Sequence, residues 1–262
     1  MASIPLPYNK KIATTLRQKI ESTFNSYQWV TRQKEGPEVD LNQVVDRVVQ
    51  MKVGGHVTDN IYQKKMKKSH DLAIQILVDS SLSTDSYAQG RRIMDTTQEA
   101  LNIFTSAFDG ILDSISIATF SSFTRNKVHY SILKEFNEDW NQVFLRIASL
   151  KPEGYTRIGP ALRHSRARLE KLNARKKMLL FISDAKPTDY DYYEGQHGVC
   201  DIQRAVTELQ ASGCRVKVLT LTDQKQSHHN FVFGAFNCQV LKNVAELSDS
   251  LFHFWYLTHL HG

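Results

Sequence analysis
The sequence predicts an α/β protein, a Rossmann-like doubly wound and mostly parallel sheet with helices on both faces, preceded by a short N-terminal helical extension. Three observations carry this prediction. From residue 71 onward, apolar runs alternate with segments of helical periodicity, the pattern of repeated βα units. The first run, Asp71–Val78, is continuously apolar after Asp71 apart from Gln75, as a strand buried on both faces should be. It ends on Asp79-Ser-Ser-Leu-Ser83, where a carboxylate and two hydroxyls stand at alternate positions. Open α/β sheets bind ligands there, outside the carboxyl ends of their strands.

Size and composition agree with that class. The chain has 262 residues, 41% of them apolar and 23% charged, enough for one large domain with an extension and too apolar for general disorder. We place the extension at 1–68 and the large domain at 69–262. The net charge of +6 and pI near 9.1 admit an acidic partner or nucleic acid. Basic residues are dispersed, however, apart from Lys64-Lys65-Met66-Lys67-Lys68, read as a solvated loop without an interleaved aromatic platform. The start, Met1-Ala-Ser-Ile-Pro-Leu-Pro-Tyr8, lacks the apolar stretch of a signal peptide, and no run approaches the ~20 apolar residues of a membrane span. Three widely spaced cysteines, Cys200, Cys214 and Cys238, suit reduced thiols. A cytoplasmic protein is expected.

The elements follow in order. Ile12, Leu16, Ile20 and Phe24 recur every fourth residue and predict an amphipathic helix over 10–27. After the breaker Glu35-Gly-Pro37, Asp40 and Gln43 form a capping-box-like start. Leu41, Val44, Val45, Val48 and Val49 then continue a second helix until Gly54-Gly55. Strand 71–79 leads to a helix at about 86–107, then strands Asp113–Phe120 and Lys127–Leu133 and a short helix at 138–148. The loop 151–156 precedes a helix over 158–173 and the strand Lys177–Ser183, which runs into Asp184. A helix at 199–212, strands Arg215–Thr222 and Asn237–Leu241, and a last helix at 244–260 complete the series.

Three loops then share one edge of the sheet. They carry Asp79, Ser81 and Ser83; Thr156 in Gly154-Tyr-Thr-Arg-Ile-Gly159; and Asp184 in Ser183-Asp-Ala-Lys-Pro-Thr-Asp189. Two carboxylates and three hydroxyls offer only oxygen donors, a set for Mg²⁺ or Mn²⁺ and a poor one for zinc. Neutral hydroxyls leave such an ion short of charge compensation, which favours an open position for a carboxylate from another molecule. The same residues have plainer readings. The serines could cap the next helix, with Ser86 and Gln89 as a capping box; Thr156 could be an N-cap and Asp184 a turn residue.

Asp-x-Ser-x-Ser, a later Thr in a Gly-rich turn and an Asp closing the fourth apolar strand together resemble the metal-ion-dependent adhesion site of von Willebrand factor A domains. The longer words Gly154-Tyr-Thr-Arg-Ile-Gly-Pro-Ala-Leu-Arg-His164, Ser183–Asp189 and Tyr192-Tyr-Glu-Gly-Gln-His-Gly-Val-Cys-Asp201 resemble the C-terminal region of the NorD/CbbO family over residues 37–262, and Tyr-Glu-Gly tilts the likeness toward NorD. The resemblance implies that Asp79, Ser81 and Ser83 bind the ion, Thr156 directly or through water, and Asp184 mainly through water. It also implies a non-enzymatic adaptor of a MoxR-type AAA+ ATPase. The client is nitric oxide reductase on the NorD side and rubisco on the CbbO side, and it offers an Asp or Glu to the ion. Two departures stand out. Ala185 replaces the usual Gly, and the long N-terminal region typical of the family is missing, as in a fragment or a reduced relative.

Other chemistries are less supported. His228-His229, His253, His259 and His261 lack regular ligand spacing. No P-loop, Gly-x-Gly-x-x-Gly or Gly-x-Ser-x-Gly occurs. A Mg²⁺-dependent phosphohydrolase using Asp79 and Asp184, with Lys186 on phosphate, is the enzymatic rival, and an RNA-binding A-type domain rests on net charge alone. Arg157, Arg163 and His164 could dock an acidic partner or be ordinary helix-surface charge.

Overall fold
The computed structural model describes residues 8–24, 27–54, 59–67, 71–88, 90–111, 114–184, 186–190, 193–221, 226–234, 238–241, 246, 249, 250, 252, 253 and 256. Two compact units make up the chain, Met1–Ile20 with Asp71–Gly262, and Glu21–His70. The first helix, α1 (Lys10–Phe24), therefore belongs through Ile20 to the large unit, where Ala13, Leu16 and Ile20 are buried.

The small unit holds more than the expected helix. Strands β1 (Tyr27–Gln33), β2 (Glu38–Val39) and β3 (Tyr62–Lys67) form an antiparallel sheet in the order β1-β3-β2. Lys64 and Lys65 lie in β3 rather than in a solvated loop, and Lys65 Nζ sits 5.1 Å from the Trp29 ring centre across the sheet. Helix α2 (Leu41–Val53) begins as expected, with Asp40 accepting from Asn42 N at 3.0 Å, and ends at Gly54 with φ of 71°.

In the large unit, β4 (Leu72–Asp79) is followed by a single 3-10 turn (Leu82–Asp85) and a small hairpin of β5 (Tyr87–Ala88) and β6 (Arg91–Arg92). Helix α3 (Ile93–Phe108) starts only then, seven residues after the expected position at 86. The reason is local: Ser86 does not cap a helix but closes the turn, its Oγ donating to Ser83 O at 2.7 Å. Next come β7 (Ile115–Thr124), β8 (Lys127–Lys134), α4 (Val143–Ala148), α5 (Ile158–Glu170) and β9 (Lys176–Ser183). They are followed by α6 (Gly195–Ala211), β10 (Cys214–Leu221), α7 (Gln226–Phe233), which the periodicity does not predict, and β11 (Cys238–Leu241). Within the expected last helix, the described positions from 246 to 256 are helical.

The main sheet has the order β11-β10-β9-β4-β7-β8, parallel except for the edge strand β8. Every residue of β4 is buried, as both faces are covered. On one face Ala73, Leu77, Phe120, Leu179, Phe181 and Val218 pack with Ile158, Leu162, Ile202 and Leu209 of α5 and α6 and with Val232 and Phe233 of α7. Buried apolar residues outside that cluster come from alternate strand positions such as Ile74, Ile76, Ile117 and Leu180, and from α1, α3 and α4. The parallel doubly wound architecture is thus the one expected. Among the described residues no helix is long and apolar enough to cross a membrane.

Candidate functional site
Strand order places the site. The chain starts the main sheet at β4, goes to β7 and β8 on one side, and returns to β9 on the other, so the connections diverge at the carboxyl end of β4. Such a divergence leaves a crevice. The register aligns Val78 with Ile182 and Asp79 with Phe120, which sets Asp79 level with Ser183 at that edge.

Asp79 is buried. Its Oδ1 accepts from Ser81 N at 2.9 Å and its Oδ2 from Ser183 Oγ at 2.6 Å. Ser81 and Ser83 join their hydroxyls at 2.8 Å, and neither caps α3, whose N-cap is Arg92. The loop carrying Thr156 is fastened to the same place, with Leu82 N donating to Gly154 O at 2.9 Å and Glu153 N to Ser80 O at 2.7 Å. Gly154 is required at that joint. Its φ is 70°, and a Cβ there would lie 2.5 Å from the Ser122 carbonyl oxygen.

Two buried oxygens at this edge, Thr156 Oγ1 and Asp184 Oδ2, make no hydrogen bond, which is costly in a native interior unless something else satisfies them. Thr156 is therefore no N-cap; its backbone instead pairs with Thr188, N to O at 2.7 Å. Burial first, and then the neighbouring Asp184 charge, push the Asp79 carboxyl up to about 7. Burial also raises Asp184, eased by the Ser83 hydroxyl and by Lys186. Two carboxylates that resist ionisation, two unsatisfied oxygens and hydroxyls at hand fit the donor set of a hard divalent cation. Among the described residues there is no cluster of three His, Cys, Asp or Glu side chains, so a cation here would lean on hydroxyls.

Arg157 and Arg163 do not reach outward. Arg157, 7% exposed, donates through Nε to Asp189 Oδ2 at 2.8 Å and stacks 4.3 Å from the Tyr193 ring centre. That ion pair clasps the Thr156 loop to the loop after Asp184. Arg163 bonds Asp201 at 2.8 Å and Glu208 at 2.9 Å, joining α5 to α6. Tyr193 OH donates to Asp201 at 2.5 Å and accepts from Gly159 N at 3.2 Å. A side chain at Gly159 would run into the Asp201 carboxylate. His164 packs on Tyr130, ring centres 4.4 Å apart.

The structure thus gathers Asp79, Ser81, Ser83, Asp184 and the Thr156 loop at one edge, and adds two residues that sequence reasoning missed. Ser183 holds Asp79, and the buried, unpartnered Ser122 Oγ comes from the end of β7, beside the Gly154 joint. A Ser-Ser pair ending an apolar strand was the available signal for Ser122. Ala185, Tyr192, His259 and His261 lie outside the described residues, as do the side chains of His228 and His229.

Residues 74–186 match the family model of the von Willebrand factor type A domain. The chain is 34% identical over 243 residues to protein NorD of Brucella suis, covering 92% of this chain and 38% of that protein. NorD of Stutzerimonas stutzeri is 31% identical over 241 residues, with 91% and 39% covered. The chain accordingly spans about two fifths of the length of these relatives. Among solved structures, the vWF domain of the type V pili tip protein Mfa5 of Porphyromonas gingivalis aligns with a TM-score of 0.57 at 11% identity, over 74% of this chain and 98% of that one. BatB of Bacteroides thetaiotaomicron gives 0.51 at 11% identity, over 71% and 98%. These structures share the fold. The chain thus carries a von Willebrand factor type A domain, matched by the family model over residues 74–186, and is similar to NorD proteins over nine-tenths of its length.

Proposed function
We propose that this chain is a non-enzymatic, metal-dependent interaction domain of the cytoplasm, the adaptor through which a MoxR-type AAA+ ATPase engages a client enzyme. The protein-interaction role follows from the type A domain and the NorD-like sequence. The observation that carries the metal dependence is the pair of buried, unpartnered oxygens, Thr156 Oγ1 and Asp184 Oδ2, at the edge that also holds Asp79. Asp79, Ser81 and Ser83 are the residues to hold Mg²⁺ or Mn²⁺, with Thr156 direct or through water and Asp184 through water. When bound, the ion supplies an attachment point for an Asp or Glu oxygen of the ATPase or client, a charge-assisted and geometrically strict contact. Likeness to NorD points to nitric oxide reductase as the client, and likeness to CbbO to rubisco.

Capture of partners from native cytosol is expected to require Mg²⁺ and to vanish with chelator. Replacing Ser81 and Ser83 together by alanine should reduce capture to the chelator level. The domain should stay folded by circular dichroism, because the apolar strands carry its stability at ~1.5–3 kcal/mol per large buried side chain. A folded double variant that captures partners at the wild-type level defeats the metal bridge. The chain is also expected to hydrolyse neither ATP nor simple phosphate esters. Turnover that scales with protein and disappears in Asp184→Ala would turn the reading to a phosphohydrolase.

A further inference from the structure
Exposed large apolar side chains of the large unit concentrate around the site. Among the described residues, Leu82 (56% exposed), Tyr155 (39%) and Tyr190 (76%) belong to the segments at the edge that carries Asp79 and Thr156, and Tyr87 (72%) stands in the hairpin of β5 and β6 that follows them. The others in this unit, Ile132, Leu145 and Phe231, are scattered over β8, α4 and α7. Scattered single residues are ordinary on a protein surface, whereas three gathered at one edge call for a cause.

Their backbones are fixed before any partner arrives. Leu82 N is bonded to Gly154 O, and Tyr155 exchanges both backbone bonds with Ser122, at 2.6 and 2.9 Å. Tyr190 N donates to Asp189 Oδ1 at 2.7 Å, and Asp189 is itself held by Arg157. Tyrosines on a fixed backbone lose little freedom on binding and present an apolar ring with a polar tip, the property that favours them at protein interfaces. Charge sets the rest of the partner's chemistry. A divalent ion would balance the two site carboxylates, and the exposed Lys186 beside Asp184 adds a positive charge at that edge, complementary to an acidic side chain.

We infer that Leu82, Tyr155 and Tyr190 form the specificity rim of the site, and that its occupant is a protein segment in which an Asp or Glu is flanked by large apolar residues. The inference rests on the metal-bridge reading above. The test uses the 262-residue chain with excess Mg²⁺ and three capped peptides, acetyl-Leu-Asp-Leu-amide, acetyl-Gly-Asp-Gly-amide and acetyl-Leu-Asn-Leu-amide, with binding followed by NMR titration. The Leu-Asp-Leu peptide is expected to bind about tenfold more tightly than Gly-Asp-Gly, since even partial burial of two leucines is worth that ratio. The Asn peptide should lose the Mg²⁺-dependent part. Leu82→Ser combined with Tyr190→Ser should lower Leu-Asp-Leu binding to the Gly-Asp-Gly level while leaving Mg²⁺ affinity unchanged.

Equal, Mg²⁺-dependent binding of both Asp peptides overturns the rim and leaves the metal bridge standing. Binding that ignores Mg²⁺ removes the metal bridge itself. Failure of all three peptides to bind overturns the rim, as does their displacement by oligouridylate, which would assign the tyrosines to base stacking.

Discussion

Replacing Arg157 by alanine is expected to remove about 3–5 kcal/mol of folding stability, the cost of stranding one member of a buried ion pair. The Asp189 side chain is wholly buried and the Arg157 side chain 9% exposed, at 2.8 Å, so the abandoned carboxylate gains little from water. The loss has a second source, because Arg157 also covers the Tyr193 ring. Urea denaturation measures it directly. Arg157→Met with Asp189→Leu, which removes both charges and keeps the volume, should recover most of the stability. If Arg157→Ala costs less than about 1 kcal/mol, the pair behaves as an exposed one and the clasp is not a structural element.

The second large effect concerns pH and the divalent ion together. The folded state holds the Asp79 proton up to about pH 7, whereas the ordinary carboxyl value is 3.8. Below about pH 3 both states are protonated and this group contributes nothing. As pH rises, the unfolded chain ionises first, so the folded state binds more protons and stability falls until about pH 7, then levels off. At about 1.4 kcal/mol per pKa unit, the fall is on the order of 4 kcal/mol without a divalent ion. Mg²⁺ at a hundred times its Kd should return about 2.7 kcal/mol at pH 8 and little at pH 5, where the protonated carboxyl competes. In Asp79→Asn, the new amide can still accept from Ser81 N and donate to Ser183 Oγ. That variant should show neither the fall nor the return. A melting temperature that answers Mg²⁺ equally in wild type and Asp79→Asn would place the ion elsewhere.

How much of this was legible in the sequence depends on what each residue answers to. Strands β4 and β9 were legible because burial on both faces demands continuous apolar runs, and the runs stop at Asp79 and Asp184. The small sheet was not. Tyr27–Gln33 and Tyr62–Lys67 mix polar and apolar residues, and Lys64 and Lys65 outweigh any strand pattern. The start of α3 was missed because Ser86 and Gln89 spell a capping box, while the backbone uses Ser86 to close a 3-10 turn. The loops that carry the site could be read from motif words, and the contacts that support them could not. Arg157 looks like surface charge until its partner Asp189 is known, and the pairing of Ser183 with Asp79 obeys no local spacing rule.

That last pairing has a kinetic consequence. Asp79 and Ser183 are 104 residues apart, and the central strands β4 and β9 meet only when the chain between them closes on itself. Long-range parallel pairing of this kind carries its loop-closure entropy before any contact rewards it, so it belongs to the late part of folding. A site assembled from both sides of that closure is absent from early transition states. An ion held there leaves the folding rate nearly unchanged and slows unfolding instead, lengthening the lifetime of the native state.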